Sequence, residues 1–205
     1  GVMGLGISWD KLAGTVSANN ALGVISSVGT GYYDHLKYAA KTLKDKPLDS
    51  INFYSREGFK AIVDNARKIC GDAPLAANIM CACNDYARIV KDACEHGINI
   101  IISGAGLPTS LPEFTKDLAL VPIVSSVQAL KIICKRWLSR YGVLPDAVVL
   151  EGPLSGGHQG FSYEQCIDPN YQLEKLIAPV VAEANEWAKQ KGSPIPVIAA
   201  GGIWD

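Results

Sequence analysis

The sequence predicts a parallel α/β fold, read as a (β/α)8 TIM barrel truncated at both ends. Three observations predict it: six short apolar, β-branched runs, helical periodicity between them, and a glycine-rich or polar turn after nearly every run. The runs are Leu22 to Ser26, Leu75 to Ile79, Ile98 to Ile102, Leu120 to Ser125, Ala147 to Leu150 and Pro196 to Ala199. Most are continuously apolar rather than alternating, as strands covered on both faces are. The turns are Ser26 to Gly31, Ser103 to Gly106, Gly152 to Gly160 and Gly201 to Gly202. In a barrel they lie at the C-terminal face, where active sites are built.

The connecting stretches carry apolar residues at intervals of three and four, the stripe of an amphipathic helix. Glu57 to Ile69, Asp85 to His96, Val127 to Tyr141 and Leu173 to Lys191 are predicted helices, and Ser8 to Ala18 is another. A complete barrel takes eight strands and typically about 250 residues. Six runs in 205 residues therefore imply a single domain, 1–205, with its first strand cut short and its last one absent. A six-stranded domain or an open doubly wound sheet is the alternative. The latter lacks its usual sign, a GxGxxG turn closing the first strand.

Composition narrows the function classes. Nineteen basic against twenty acidic residues leave a formal charge of −1, which argues against an electrostatic binder of nucleic acid or of a membrane surface, since either needs a basic excess on one face. No apolar run approaches the ~18–20 residues of a membrane span, and no signal-peptide order is present at the N-terminus. A cytoplasmic location is the expectation. Six scattered cysteines do not make a disulfide scaffold. Cys81 and Cys83 form Cys-x-Cys without a second pair at ligand spacing, so no metal site is expected. Cys70, Cys94, Cys134 and Cys166 read as buried, reduced thiols in apolar surroundings.

Two segments point to chemistry. In Leu150-Glu-Gly-Pro-Leu-Ser-Gly-Gly-His-Gln-Gly-Phe161 an apolar strand ends in a loop with paired glycines and one histidine. Gly156 and Gly157 allow close backbone approach to a flat ligand or a phosphate. His158 is the side chain suited to move a proton near neutrality. In Ile195-Pro-Val-Ile-Ala-Ala-Gly-Gly-Ile-Trp-Asp205 a strand runs into Gly201-Gly202, whose backbone N–H groups suit a phosphate. Each loop alone is also compatible with an ordinary turn. Glu151 is a carboxylate at the strand end without an assigned partner.

Four segments occur in order: Gly1-Val-Met-Gly-Leu-Gly-Ile-Ser-Trp-Asp10, Leu22-Gly-Val-Ile-Ser26, Ser155-Gly-Gly-His-Gln-Gly160 and Ala199-Ala-Gly-Gly-Ile203. Together they resemble the FMN-dependent nitronate monooxygenases, formerly 2-nitropropane dioxygenases. The same superfamily includes FMN-containing enoyl-acyl-carrier-protein reductases and NADH:quinone reductases. The resemblance implies a (β/α)8 barrel with FMN at its mouth and without metal. It places Met3, Gly4 and Asn78 beside the flavin ring, Ser125 near the ribityl chain, Gly156 and Gly157 against the flavin, and Gly201 and Gly202 at the phosphate. His158 matches the histidine taken as catalytic base or acid. Met3 is also compatible with ordinary core, and Asn78 and Ser125 with N-caps of the helices that follow them. Trp9, Tyr32 and Tyr33 are aromatic residues able to cover a flavin or simply to pack.

Departures are visible. Many members carry Glu-Ala before Gly-Gly-His, where this chain has Leu154-Ser155. Ile123 stands where some have lysine. The expected function is oxidation of alkyl nitronates by O2 to a carbonyl compound and nitrite. The alternative is NAD(P)H-dependent, FMN-mediated reduction of enoyl thioesters or quinones, and a further one is a non-catalytic flavin- or phosphate-binding fragment. The expected partners are small molecules, without nucleic acid or membrane; an oligomer stays open.

Overall fold

The structure, a computed structural model, describes residues 6–31 and 47–203, with side chains from residue 55 onward in the second stretch. The chain divides into two compact units. Among the described residues an N-terminal unit comprises 6–31, 47–79 and 88–100, and a C-terminal unit comprises 80–87 and 101–203.

Strands and helices alternate along the described residues. Their order is α1 (Asp10–Ala18), β1 (Gly23–Ser26), α2 (Pro47–Cys70), β2 (Leu75–Met80), α3 (Tyr86–Glu95), β3 (Ile100–Gly104), α4 (Leu111–Phe114), β4 (Ala119–Val124), α5 (Val127–Tyr141), β5 (Val148–Glu151), α6 (Tyr163–Ile167), a 3-10 turn (Pro169–Tyr171), α7 (Leu173–Lys191) and β6 (Val197–Ala200). All six expected strands are present, each joined to the next through helix, which is the α/β alternation of a TIM barrel.

In the N-terminal unit β1 pairs parallel with β2, from Gly23 opposite Leu75 to Ser26 opposite Asn78. Ser17 ties this pair to α1: its hydroxyl donates to the Pro74 carbonyl at 2.6 Å and accepts from Gly23 N–H at 3.0 Å. A Cβ on Gly23 would overlap the Ala13 carbonyl, so only glycine lets the strand lie this close to α1. The core here is Ile25, Val63, Ala66, Leu75, Ala77, Ile79, Val90 and Ala93, all fully buried.

In the C-terminal unit the strands lie in the order β3-β4-β5-β6. β4 and β5 are parallel, with Val124 opposite Leu150; so are β5 and β6, with Glu151 opposite Ala200. Leu130, Ile133, Trp137, Val148, Leu150 and Val180 fill the interior. The Trp137 indole N–H donates to the Pro108 carbonyl at 2.9 Å, which satisfies the polar atom of a fully buried ring. Both long helices end on a left-handed glycine, Gly142 after α5 and Gly192 after α7.

Helices α5 and α7 occupy the spans their periodicity predicts. Three features differ. α2 starts ten residues before the first predicted residue, Glu57. β3 starts at Ile100 because Asn99 is occupied as a junction: its side-chain carbonyl accepts from Leu75 N–H at 3.0 Å and from Arg67 at 2.6 Å. The N-cap of α5 is Ser126 rather than Ser125, with its hydroxyl accepting from Ala129 N–H at 3.2 Å. The short helices α4 and α6 lack the length to show a period and were not anticipated.

Among the described residues no helix is long and apolar enough to cross a membrane. All six cysteines are free thiols; Cys70 and Cys134 are buried, while Cys94 and Cys166, expected inside, are only partly covered.

Candidate active site

Because β4, β5 and β6 run parallel and side by side, their C-terminal ends lie on one edge of the sheet of the C-terminal unit. Ser125 follows β4, Gly152 follows β5, and Gly201-Gly202 follow β6. Gly152 N–H donates to the Ala200 carbonyl at 2.9 Å and so extends the β5–β6 pairing into the loop. The loop then turns sharply, with Ser155 N–H donating to the Gly152 carbonyl at 3.1 Å.

From that turn the segment Gly156–Gly160 stands exposed. Where a Cβ would sit on Gly156 or Gly157 no heavy atom lies within 4 Å, so the backbone is open on that side. His158 is exposed beside them. The loop is tethered at its far end, where the Ser125 hydroxyl donates to the Gly160 carbonyl at 3.4 Å. A side chain on Gly160 would overlap that hydroxyl.

The turn after β6 is built differently. Gly201 and Gly202 take φ of +96° and +76°, a left-handed pair that L side chains rarely adopt. A Cβ on Gly201 would lie 3.0 Å from both the Cβ and the amide nitrogen of Ser155; one on Gly202 would press on Leu154. The two glycine turns are thus in contact through Leu154 and Ser155. The structure brings together Ser125, Gly156, Gly157, His158, Gly201 and Gly202 within one unit.

Electrostatics at this edge come from Glu151. It is half-buried at the end of β5, and burial pushes its carboxyl above the usual carboxylate range. The Ser155 hydroxyl is buried and makes no well-aligned hydrogen bond of its own.

A second polar line lies at the end of β3. Tyr86 Oη and Ser103 Oγ are 2.8 Å apart, and Cys81 Sγ is 3.4 Å from the same Ser103 Oγ. Burial raises the Tyr86 phenol and the Cys81 and Cys83 thiols above their ordinary values. Beside it Ala105 holds φ of +52°, an uncommon conformation for a residue with a Cβ. Sequence reasoning passed over this line, since residues 81, 86 and 103 share no motif and meet only when β3 forms. Ile123, at the position where lysine was considered, packs its side chain onto Gly104.

Asn78 belongs to the N-terminal unit. It is buried within β2, with its carbonyl accepting from Ser27 N–H at 3.2 Å. It does not cap the next helix, which begins eight residues later at Tyr86. Met3, Gly4, Tyr32 and Tyr33 lie outside the described residues. Among the described residues no group of three or more His, Cys, Asp or Glu gathers to hold a metal ion.

The residues present suit a flat, phosphate-bearing ligand: a left-handed glycine pair at one strand end, and an open glycine backbone beside an imidazole at the next. Two solved structures share the fold. FabK from Thermotoga maritima matches with a TM-score of 0.63 and 25% identity over 97% of this chain and 48% of that one. Its M276A mutant matches with a TM-score of 0.64 and 24% identity over 97% and 51%. The chain therefore spans about half the length of these proteins. No curated protein matches it. The nitronate monooxygenase family matches over residues 1–205, and the chain belongs to that family.

Proposed function

We propose that this chain is the FMN-binding barrel domain of a flavin-dependent oxidoreductase, and that its reaction is the oxidation of alkyl nitronates by O2 to a carbonyl compound and nitrite. The observation that carries the reading is the pair of glycine turns meeting at the ends of β5 and β6, with His158 exposed beside the open one. The family match over the whole chain supports it.

In this reading Gly201 and Gly202 take the FMN phosphate, Gly156 and Gly157 lie against the flavin, and Ser125 holds the far end of the loop through Gly160. Met3, Gly4 and Asn78 keep the ring-side roles the resemblance implies. FMN, when bound, supplies the electron transfer; the protein contributes orientation and electrostatics. His158 steadies the anionic nitronate, or accepts the α-proton when the substrate arrives as a neutral nitroalkane. A positioned base of this kind contributes typically about 10²–10⁴-fold.

The test is nitrite release from a nitronate by purified full-length protein, wild type against His158→Ala. A drop of about 10²–10⁴-fold is expected, with released FMN identified from its absorption spectrum. Unchanged turnover removes His158 from the chemistry, and a colourless protein removes the flavin.

The FabK structures favour a second reading, reduction of an enoyl thioester at the expense of NAD(P)H. Rapid anaerobic bleaching of the flavin by NADH or NADPH selects it. A protein that holds flavin without turning over any of these substrates would be a non-catalytic binder.

A further inference from the structure

The turn between β2 and α3 carries Cys81-Ala-Cys83, a pair of thiols that no step of the proposed reaction uses. Its backbone is fixed at both ends. Cys81 N–H donates at 2.8 Å to the carbonyl of Gly104, the last residue of β3. Cys83 N–H turns back to the Met80 carbonyl at 3.2 Å, and the Cys83 carbonyl accepts from Tyr86 N–H at 3.1 Å. Two residues of chain span about 7 Å when fully extended, and the Met80–Cys83 turn shortens that. Even a direct S–S bond tolerates Cα separations up to about 6.8 Å, and a single atom bridging two sulfurs reaches further. The backbone therefore holds the pair within bridging range.

Both cysteines are free thiols and partly exposed, whereas Tyr86 and Ser103 behind them are buried. Cys81 Sγ lies 3.4 Å from Ser103 Oγ, itself 2.8 Å from Tyr86 Oη, so this sulfur is steadied from inside. Cys83 sits on the outer side of the turn, between the exposed Ala82 and Asn84. No third ligand joins them in a metal-binding group among the described residues, which leaves a two-sulfur site. Burial raises both thiols above their ordinary values and so keeps them protonated near neutrality. A cationic metal needs the thiolate form, which this burial disfavours. A neutral centre that condenses with two neutral thiols creates no charge in the site.

We propose that Cys81 and Cys83 form a vicinal dithiol site for a monosubstituted trivalent arsenical, the two sulfurs closing on one arsenic atom. Two S–H bonds and the As=O bond break, two As–S bonds form, and both protons leave with the oxygen as water. Arsenic stays trivalent, so no oxidant or reductant enters. The site is independent of the flavin reading.

The probe is phenylarsine oxide. Full-length protein is incubated with it, washed with excess mercaptoethanol, digested and mapped by mass spectrometry. One phenylarsenic group is expected on the peptide containing residues 81–83, kept through the monothiol wash and released by dimercaprol. C81S and C83S should each weaken affinity for the probe by about 10²–10⁴-fold, the gain that a second, tethered bond supplies. C94S and C166S, at the other partly covered thiols, should leave it unchanged. Arsenic stripped by mercaptoethanol overturns the proposal, as does arsenic bridging either thiol to a different cysteine, or equal affinity in C83S and wild type. If C81S fails to fold by far-UV circular dichroism, C83S and the wild-type map decide alone.

Discussion

Two polar clusters, one in each unit, are used differently. In the N-terminal unit Arg67 and Asp92 are spent on structure, although the Ser27 hydroxyl and His96 Nε2 there are buried without a hydrogen-bond partner. The Arg67 guanidinium donates to the carbonyls of Gly71, Ala73 and Gly97 and to the Asn99 side chain, at 2.6 to 2.9 Å. Asp92, 3% exposed, faces Arg88 at 2.6 Å and Arg56 at 3.2 Å, and Arg56 also reaches Glu95. In the C-terminal unit the strand ends leave groups unspent: an exposed imidazole, two open glycines and a buried hydroxyl without an aligned partner. Saturated groups hold a fold, and unsaturated ones at strand ends are available to a ligand. The difference teaches where substitution should cost stability and where it should cost activity.

The sharpest break between the units is expected from His158. Its replacement by alanine, already expected to remove most of the turnover, should leave the urea midpoint unchanged, because the side chain is exposed and bonds nothing described. A large fall in the midpoint would place His158 with the structural groups and erase the contrast. Asp92→Ala should do the reverse. Removing the carboxylate leaves two guanidinium groups facing each other at a buried position and should cost about 2–3 kcal/mol by urea denaturation; the figure is discounted because both arginines are partly exposed. Flavin affinity per folded molecule should not change.

Smaller effects sharpen the comparison inside the C-terminal unit. Ser126→Ala removes the α5 cap and should lower stability by about 1 kcal/mol, whereas Ser125→Ala should leave stability nearly unchanged and loosen only the Gly160 tether. Equal thermal shifts for the two serines would contradict the assignment. Last in size, Ala105→Gly relieves a left-handed backbone angle and should raise stability by about 0.5 kcal/mol, read as a small rise in Tm.

Part of the site was legible in the sequence and part was not. The paired glycines and His158 were readable because a turn at a strand end announces itself locally, through residues without a Cβ next to an apolar run. Glu151 was visible but without an assigned partner, since its half-burial at the end of β5 arises only in the folded sheet. Ser125 was readable as either cap or ligand group. Its hydroxyl points to Gly160, thirty-five residues away, and the capping role fell to its neighbour. The Cys81–Ser103–Tyr86 line left no trace in the sequence because its members are joined by packing alone.

By itself the sequence determined the alternation of strand and helix, the positions of α5 and α7 and the glycine turns. These follow from periodicity and backbone freedom, which act over a few residues. Tertiary structure alone decided which serine caps and which tethers, where β3 begins, and that Arg67, Asp92 and Asn99 are consumed by the fold while Ser155 is not. Those outcomes depend on hydrogen-bond partners distant in sequence, and a group's burial and partner exist only once the chain has closed around it.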